Sequence, residues 1–326
     1  MLESLPYKAI VVADFDFEFG GRDGNRPRPV SMVAKELRSG QEWRIWRGEF
    51  PSRPPFPIGS DTLFVAFVAS AELGCFRALG WPMPARILDL YAEFRNHVNG
   101  SIGDRGLIAA MNYFGLDAMS VVHKQQMVDL ILAGGPWTDQ ERTGIFDYCA
   151  GDVDALERLL PAMLAQIDLP RALLRGRYMA AASAMEWNGV PIDMATLELL
   201  RTHWNDIKDR LIADIDADFG VYEGINFREH LFEQLLVRLG IPWERLESGR
   251  LCLQDDAWRE MARAYPIISP LRELRHALSD LRLNDLSVGD DSRNRTPLWA
   301  FGSKTGRNQP SNSKFIFGPS VWLRGL

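Results

Sequence analysis

The sequence predicts an α/β protein in two domains: a mixed central sheet flanked by helices over residues 1–168, then a mainly α-helical domain over 169–326. Three observations predict it. Residues 8–19 form an apolar run that ends in carboxylates two residues apart, the pattern of a central strand whose end carries polar work. Residues 62–68 (Thr-Leu-Phe-Val-Ala-Phe-Val) are apolar without alternation, as expected of a strand buried on both faces. From residue 171 onward helical periodicity dominates.

In the first run, successive side chains on a strand alternate faces. Ile10, Val12, Asp14, Asp16 and Glu18 therefore share one side, and Val11, Ala13, Phe15, Phe17 and Phe19 the other. Three acids on one face repel each other, and burying them requires a compensating positive charge, for which divalent cations are the usual choice. The glycine-rich residues 20–25 form a turn, and 30–37 and 43–48 read as two more strands about the turn at 38–41, giving an antiparallel meander. Residues 69–80 read as a helix start that places Glu72 in a first turn, where an acid suits the helix dipole and a metal-site acid could also sit. Asp89 lies in the apolar segment Ile87-Leu-Asp-Leu-Tyr91.

Helical patterns then cover 106–114 and 124–133, with Gly134 and Pro136 stopping the second. A long helix over 138–164 has Thr138 as N-cap and carries Tyr148 and Asp152, four residues apart and so on one face. In the second domain, helices are predicted over 171–187, from a cap at Asp193 to about residue 217, and over 227–239, 254–264 and 271–283, the last presenting Arg272, Arg275 and Arg282. A short β piece is expected near 296–309.

Composition bounds the function. At 326 residues, 46% hydrophobic and 25% charged, the chain has ample core for two domains. A formal charge of −6 excludes a protein coated in basic residues but not one with a local nucleic-acid surface. The acidic balance reverses locally: from Arg293 to the end there are basic residues, Lys304 and Arg307 among them, and no acidic ones, which suits phosphate contact. Cys75, Cys149 and Cys252 are few and odd in number, so reduced thiols and a cytoplasmic setting are expected. The five histidines show no metal-ligand spacing. No apolar stretch is long enough to span a bilayer, so no membrane partner is expected.

The acids at 16, 18, 72 and 152, with Tyr148, resemble the motifs of the DEDD superfamily of 3′→5′ exonucleases, in the branch with tyrosine in its third motif. The chain is most similar to the N-terminal portion of family A DNA polymerases, in particular their phage and prophage relatives. The resemblance places Asp16 and Glu18 in the first motif through Phe15-Asp-Phe-Glu-Phe19, with Asp14 as the competing acid. It places Tyr148 and Asp152 in the third motif, and Glu72 in the second where aspartate is commonest, with Asp89 as the fallback. It continues through Glu186-Trp-Asn-Gly-Val-Pro-Ile-Asp193, Ile225-Asn-Phe227 and residues 272–286, which look like the polymerase thumb, and through Lys304-Thr-Gly-Arg-Asn-Gln-Pro310, which matches the Thr-Gly-Arg motif lying along primer-template.

What the resemblance implies is an RNase H-like exonuclease domain followed by a thumb-like domain and the start of a palm, without the paired acids of polymerase chemistry. The implied activity is metal-dependent hydrolysis of nucleotides from DNA 3′ ends in a bacterial or phage-infected cell. Two divalent cations, Mg²⁺ or Mn²⁺, would be held by Asp16, Glu18, Asp152 and Glu72, with Tyr148 orienting water. Lys304, Arg307, Arg275 and Arg282 would contact DNA, as a single-stranded 3′ end or a primer-template duplex, with the palm and fingers of a polymerase as further partners. Two other readings stand beside it: a non-catalytic DNA-binding module whose nuclease site is vestigial through Glu72, and an RNase D-like exoribonuclease.

Overall fold

The computed structural model describes residues 2–280, 286–318 and 325–326. In chain order the first half runs β1 (Ala9–Glu18), β2 (Arg28–Glu36), β3 (Glu42–Trp46), β4 (Thr62–Ala66), α1 (Ala69–Ala78), β5 (Ile87–Asp89), α2 (Leu90–Val98), α3 (Leu107–Tyr113), α4 (Val121–Ala133) and α5 (Asp139–Leu164). It continues with α6 (Leu169–Asn188), β6 (Val190–Pro191), α7 (Met194–Thr202), α8 (Trp204–Asp216), β7 (Tyr222–Glu223), β8 (Asn226–Phe227), α9 (Glu229–Leu239), α10 (Asp255–Ala264), α11 (Ser269–Asp280) and β9 (Arg293–Asn294). The chain divides into two compact units, one of Met1–Pro191 with Ser287–Ser311 and one of Ile192–Leu286 with Asn312–Leu326.

The first unit is built on a five-stranded mixed sheet in the order β3-β2-β1-β4-β5. The β1 strand is central: it pairs antiparallel with β2 and parallel with β4. Its alternation works as strand geometry demands. Ile10 and Val12 face a core that also holds Leu63, Val65, Leu88, Phe94, Val153 and Leu156, from strands β4 and β5 and helices α2 and α5. Phe15 points the other way, into a ring cluster with Phe76 and Trp81 at centroid separations of 5.8 and 6.1 Å. The β1–β2–β3 meander is the antiparallel one expected, and its β2–β3 turn is fastened by Glu36, whose carboxylate accepts from the backbone N–H groups of Ile10, Arg38 and Ser39. These bonds hold the Glu36 carboxyl below its usual range against the opposing effect of burial.

Helix α5 starts at Thr138 with a complete capping box, its hydroxyl taking the Glu141 N–H while the Glu141 carboxylate takes the Thr138 N–H. Helix α6 comes so close to β5 that a Cβ on Gly176 would sit 1.9 Å from the Ile87 carbonyl oxygen. Only a residue without a side chain allows that approach.

The second unit is helical around a core of Phe232, Leu235, Leu236, Trp258, Ile268 and Leu271. Phe232 stacks on Trp258 at 4.7 Å and meets Trp243 edge-on at 4.9 Å, geometries that suit ring quadrupoles.

Three local expectations change. The helix expected from Asp193 to about residue 217 is two helices broken at His203, which ends α7 with φ −96° and ψ 14° and starts α8. Residue 227 belongs to the β7–β8 hairpin, and the helix after it begins at Glu229. The short β piece expected near 296–309 lies just ahead of it, at Arg293–Asn294, paired with Val190–Pro191. The segment 296–309 instead bends back on itself, with the Gln309 N–H donating to the Leu298 carbonyl. No helix among the described residues is long and apolar enough to cross a membrane.

Candidate metal-binding acidic site

The carboxyl-bearing end of β1 lies beside α1 and α5, and it gathers acids as the sequence led one to expect, though not the same set. Asp14 and Asp16 share the cluster with Cys149 of α5, and one ligand atom from each lies within 4.8 Å of the others. The Ser31 hydroxyl of β2 donates to Asp16 Oδ2 at 2.7 Å. The Cys149 thiol donates to Asp14 Oδ2 at 3.5 Å and to the Asp14 carbonyl at 3.4 Å. Glu72, in the first turn of α1, is 3% exposed, and its Oε2 is buried without a hydrogen-bond partner. Tyr148 is buried beside Asp152 and shares its phenol hydrogen bond with it. Asp152 also takes an ion pair from Lys124 of α4 at 2.9 Å, and the same ammonium lies over the Tyr148 ring at 5.4 Å.

Electrostatics follow from that crowding. Burial, then the charges of Asp152 and Asp16, pushes the Asp14 carboxyl well above its usual value. Burial raises Asp16 to about 7, with the Ser31 hydrogen bond opposing. Burial and the charges of Asp14 and Asp16 raise Glu72. The Tyr148 phenol is pushed far up by burial and Asp152, so it stays protonated and can orient a ligand but not accept a proton. The Cys149 thiol is likewise raised by burial and the neighbouring acids, which keeps it a donor. The close group is thus two carboxylates and a thiol, Asp14, Asp16 and Cys149, and its carboxylate oxygens, with the unpartnered Glu72 Oε2 coupled to them by charge, fit a hard divalent cation.

Glu18 stands apart. The β1–β2 register shifts between Asp16 and Phe17, where Val30 of β2 is the extra residue, and such a bulge re-aims the side chains beyond it. Glu18 is held instead by Arg47 at 2.9 Å and by the Gly20 N–H. Asp89 is a structural acid: it caps α2, accepting from the Tyr91 and Ala92 N–H groups at 2.8 and 3.3 Å, and also takes the Val68 and Ala69 N–H groups at 3.1 and 2.9 Å. Burial raises it to about 6 against those bonds. Asp89→Ala leaves four N–H groups unpaired, three of them buried, and is expected to cost on the order of 3 kcal/mol in denaturant unfolding. Glu72→Ala, which removes a buried carboxylate with one unpartnered oxygen and frees a single backbone N–H, that of Phe15, is expected to cost clearly less in metal-free buffer. Equal losses in the two variants would refute this division of roles.

Among the expected DNA contacts, Lys304 and Arg307 are exposed in the first unit. In the second, Arg275 lies over the rings of Phe227 and Trp258 at 4.3 and 4.9 Å, and Arg272 pairs with Asp255, so both are engaged in packing rather than freely presented. Arg282 lies outside the described residues. Two arginines of the basic stretch are also structural: Arg295 is 6% exposed in an ion pair with Asp291, and Arg293 donates to the Asn188 and Gly189 carbonyls. The sequence reading passed over Lys124, Cys149 and Ser31. Of these, Ser31 left a signal, being a polar residue inside an apolar strand that pairs with the acid strand.

No family model and no curated protein matches the chain. Among solved structures 126 chains match. One is the POL domain of Pol1 from M. smegmatis in complex with a DNA primer-template and dNTP, at a TM-score of 0.65 and 15% sequence identity. The match covers 98% of this chain and 53% of that one, so the chain spans about half the length of the polymerase domain and shares its fold.

That finding corrects the functional expectation. The similar structure is a polymerase domain, a nucleotidyltransferase type of protein, and not an exonuclease domain, so the reading as a hydrolase trimming 3′ ends of DNA or RNA gives way. The physical reason for the error is plain. Acids at strand and helix spacing report that carboxylates gather around a cation, and phosphoryl-transfer proteins of opposite chemical direction need that equally.

Proposed function

We propose that this chain is the primer-template-holding part of a DNA polymerase of the family A type. What supports the reading is the single observation that its fold matches a DNA-bound polymerase domain over 98% of its length. In this reading the unit on the five-stranded sheet, of RNase H-like strand order, carries a divalent-cation site. The helical region from about residue 169 serves as a thumb, and Lys304 and Arg307 lie along DNA phosphates. Asp14, Asp16, Glu72 and Asp152 hold the cation, Mg²⁺ or Mn²⁺, which supplies positive charge for a DNA phosphate oxygen. Ser31 orients Asp16, and Lys124 and Tyr148 hold Asp152.

Fluorescence anisotropy with a labelled primer-template hairpin tests it. Binding is expected to weaken steeply between about 50 and 200 mM salt, as counterion release requires. Arg307→Ala should lower the salt slope by about one while leaving the melting temperature unchanged. No binding at low salt, or binding indifferent to salt, would overturn the proposal.

A further inference from the structure

Within the first unit, α1, α6, the turn after β1 and the segment following β9 enclose a cavity of 210 Å³ that the acidic cluster does not use. It exceeds the ~150 Å³ apolar cavity that takes up one benzene ring. Four rings are among its lining residues: Phe17, Phe19, Trp187 and Trp299. Its polar lining includes the Glu186 carboxyl, beside Asp23, Asn25 and Arg295, and that carboxyl is fixed in place by the Leu298 N–H at 2.7 Å and by the Ser70 hydroxyl. Those two donors leave acceptor capacity on the carboxylate unused.

Two further features mark the cavity as built. Val68 and Trp299, both lining it, have φ of 66° and 46°, a region that β-branched and bulky side chains rarely adopt. Trp299 remains 42% exposed although Tyr91 packs against it at 6.0 Å, so a large ring is displayed at the mouth rather than buried.

We propose that this pocket holds a single nucleobase, its faces against the aromatic walls and its N–H edge donating to Glu186. The inference rests on the reading of the chain as DNA-binding for its source of bases, but not for the chemistry of the pocket. A planar heterocycle suits ring walls, and an edge with two adjacent N–H donors, as guanine has, suits a carboxylate. A base supplied in a DNA strand and one supplied as a free nucleotide share this chemistry.

Isothermal titration with deoxyguanosine monophosphate tests the free source, and anisotropy with a primer-template hairpin carrying one unpaired guanine, or an abasic site in its place, tests the strand source. Saturable binding in either arm is expected, weakened roughly tenfold by Glu186→Gln, which keeps one acceptor. Ala71→Trp, which fills the cavity from α1, should abolish the guanine-dependent part, with circular dichroism confirming that the variant is folded. Guanine dependence in the hairpin alone assigns the base to the strand, and binding of the mononucleotide alone assigns it to the free nucleotide. Mononucleotide binding without any DNA affinity would sink the DNA reading and leave the pocket standing. No guanine-dependent binding in either arm, or binding untouched by both variants, overturns the proposal.

Discussion

Asp16→Asn is expected to raise the melting temperature of the metal-free protein at pH 8 by roughly 10 °C, at about 3 °C per kcal/mol for a unit of this size. Asp16 carries a carboxyl displaced from 3.8 to about 7 by burial. A group whose folded value is raised holds its proton more tightly in the folded chain. Its contribution to stability is therefore intact below about pH 4 and is lost as pH rises through about 7. At about 1.4 kcal/mol for each tenfold change in proton affinity, ionised Asp16 costs on the order of 4 kcal/mol. Asparagine keeps an acceptor for Ser31 and removes the charge, so the variant should gain nothing at pH 4 and most at pH 8. Mg²⁺ or Mn²⁺ should close the gap by stabilising the wild type alone, and EDTA should reopen it. Melting curves across pH, with and without Mn²⁺, check both statements. A metal shift of equal size in the two proteins would show that the cation binds elsewhere.

The second large effect is steric. Gly176→Ala is expected to destabilise the first unit by about 3 kcal/mol, because its methyl group would fall 1.9 Å from a backbone oxygen that has no rotamer to move. The control is Gly144→Ala in α5, where the nearest atom, the Met127 terminal methyl, is 3.8 Å away. There the helix preference of alanine should stabilise by up to about 1 kcal/mol. Urea unfolding of the pair decides the matter, and effects of the same sign would refute the close approach of α6 to β5.

The first half of the fold was legible because its determinants are local. The unbroken apolar runs over residues 10–13 and 62–66 mark strands buried on both faces, and the acids at 14, 16 and 18 mark where one face of β1 turns polar. The break at His203 was not legible, since the residues around it have no glycine or proline and only packing separates the two helices. The pairing of Val190 with Asn294 joins positions far apart in the chain, which no window of sequence can reveal. At the acidic site, alternation put Asp14, Asp16 and Glu18 on one face and could not choose among them. A one-residue bulge in the partner strand and the ion pair to Arg47, just past the end of β3, hold Glu18 apart. The direction of any chemistry was not legible either, because a carboxylate cluster that suits a cation does not say which reaction a cation there would serve.

The close seat of Gly176 also bears on how the sheet avoids other chains. The Arg86 carbonyl is taken by Phe64 of β4, so the next carbonyl, that of Ile87, faces outward along the free margin of β5. Helix α6 lies against that margin and leaves no room for an added strand. At the opposite margin, β3 is five residues long and carries Glu42 and Arg44, charges that a flat hydrogen-bonded partner would have to desolvate. Loss of the α6 seat would therefore uncover a row of backbone acceptors, and the Gly176→Ala protein should be prone to aggregate through strand addition as well as less stable.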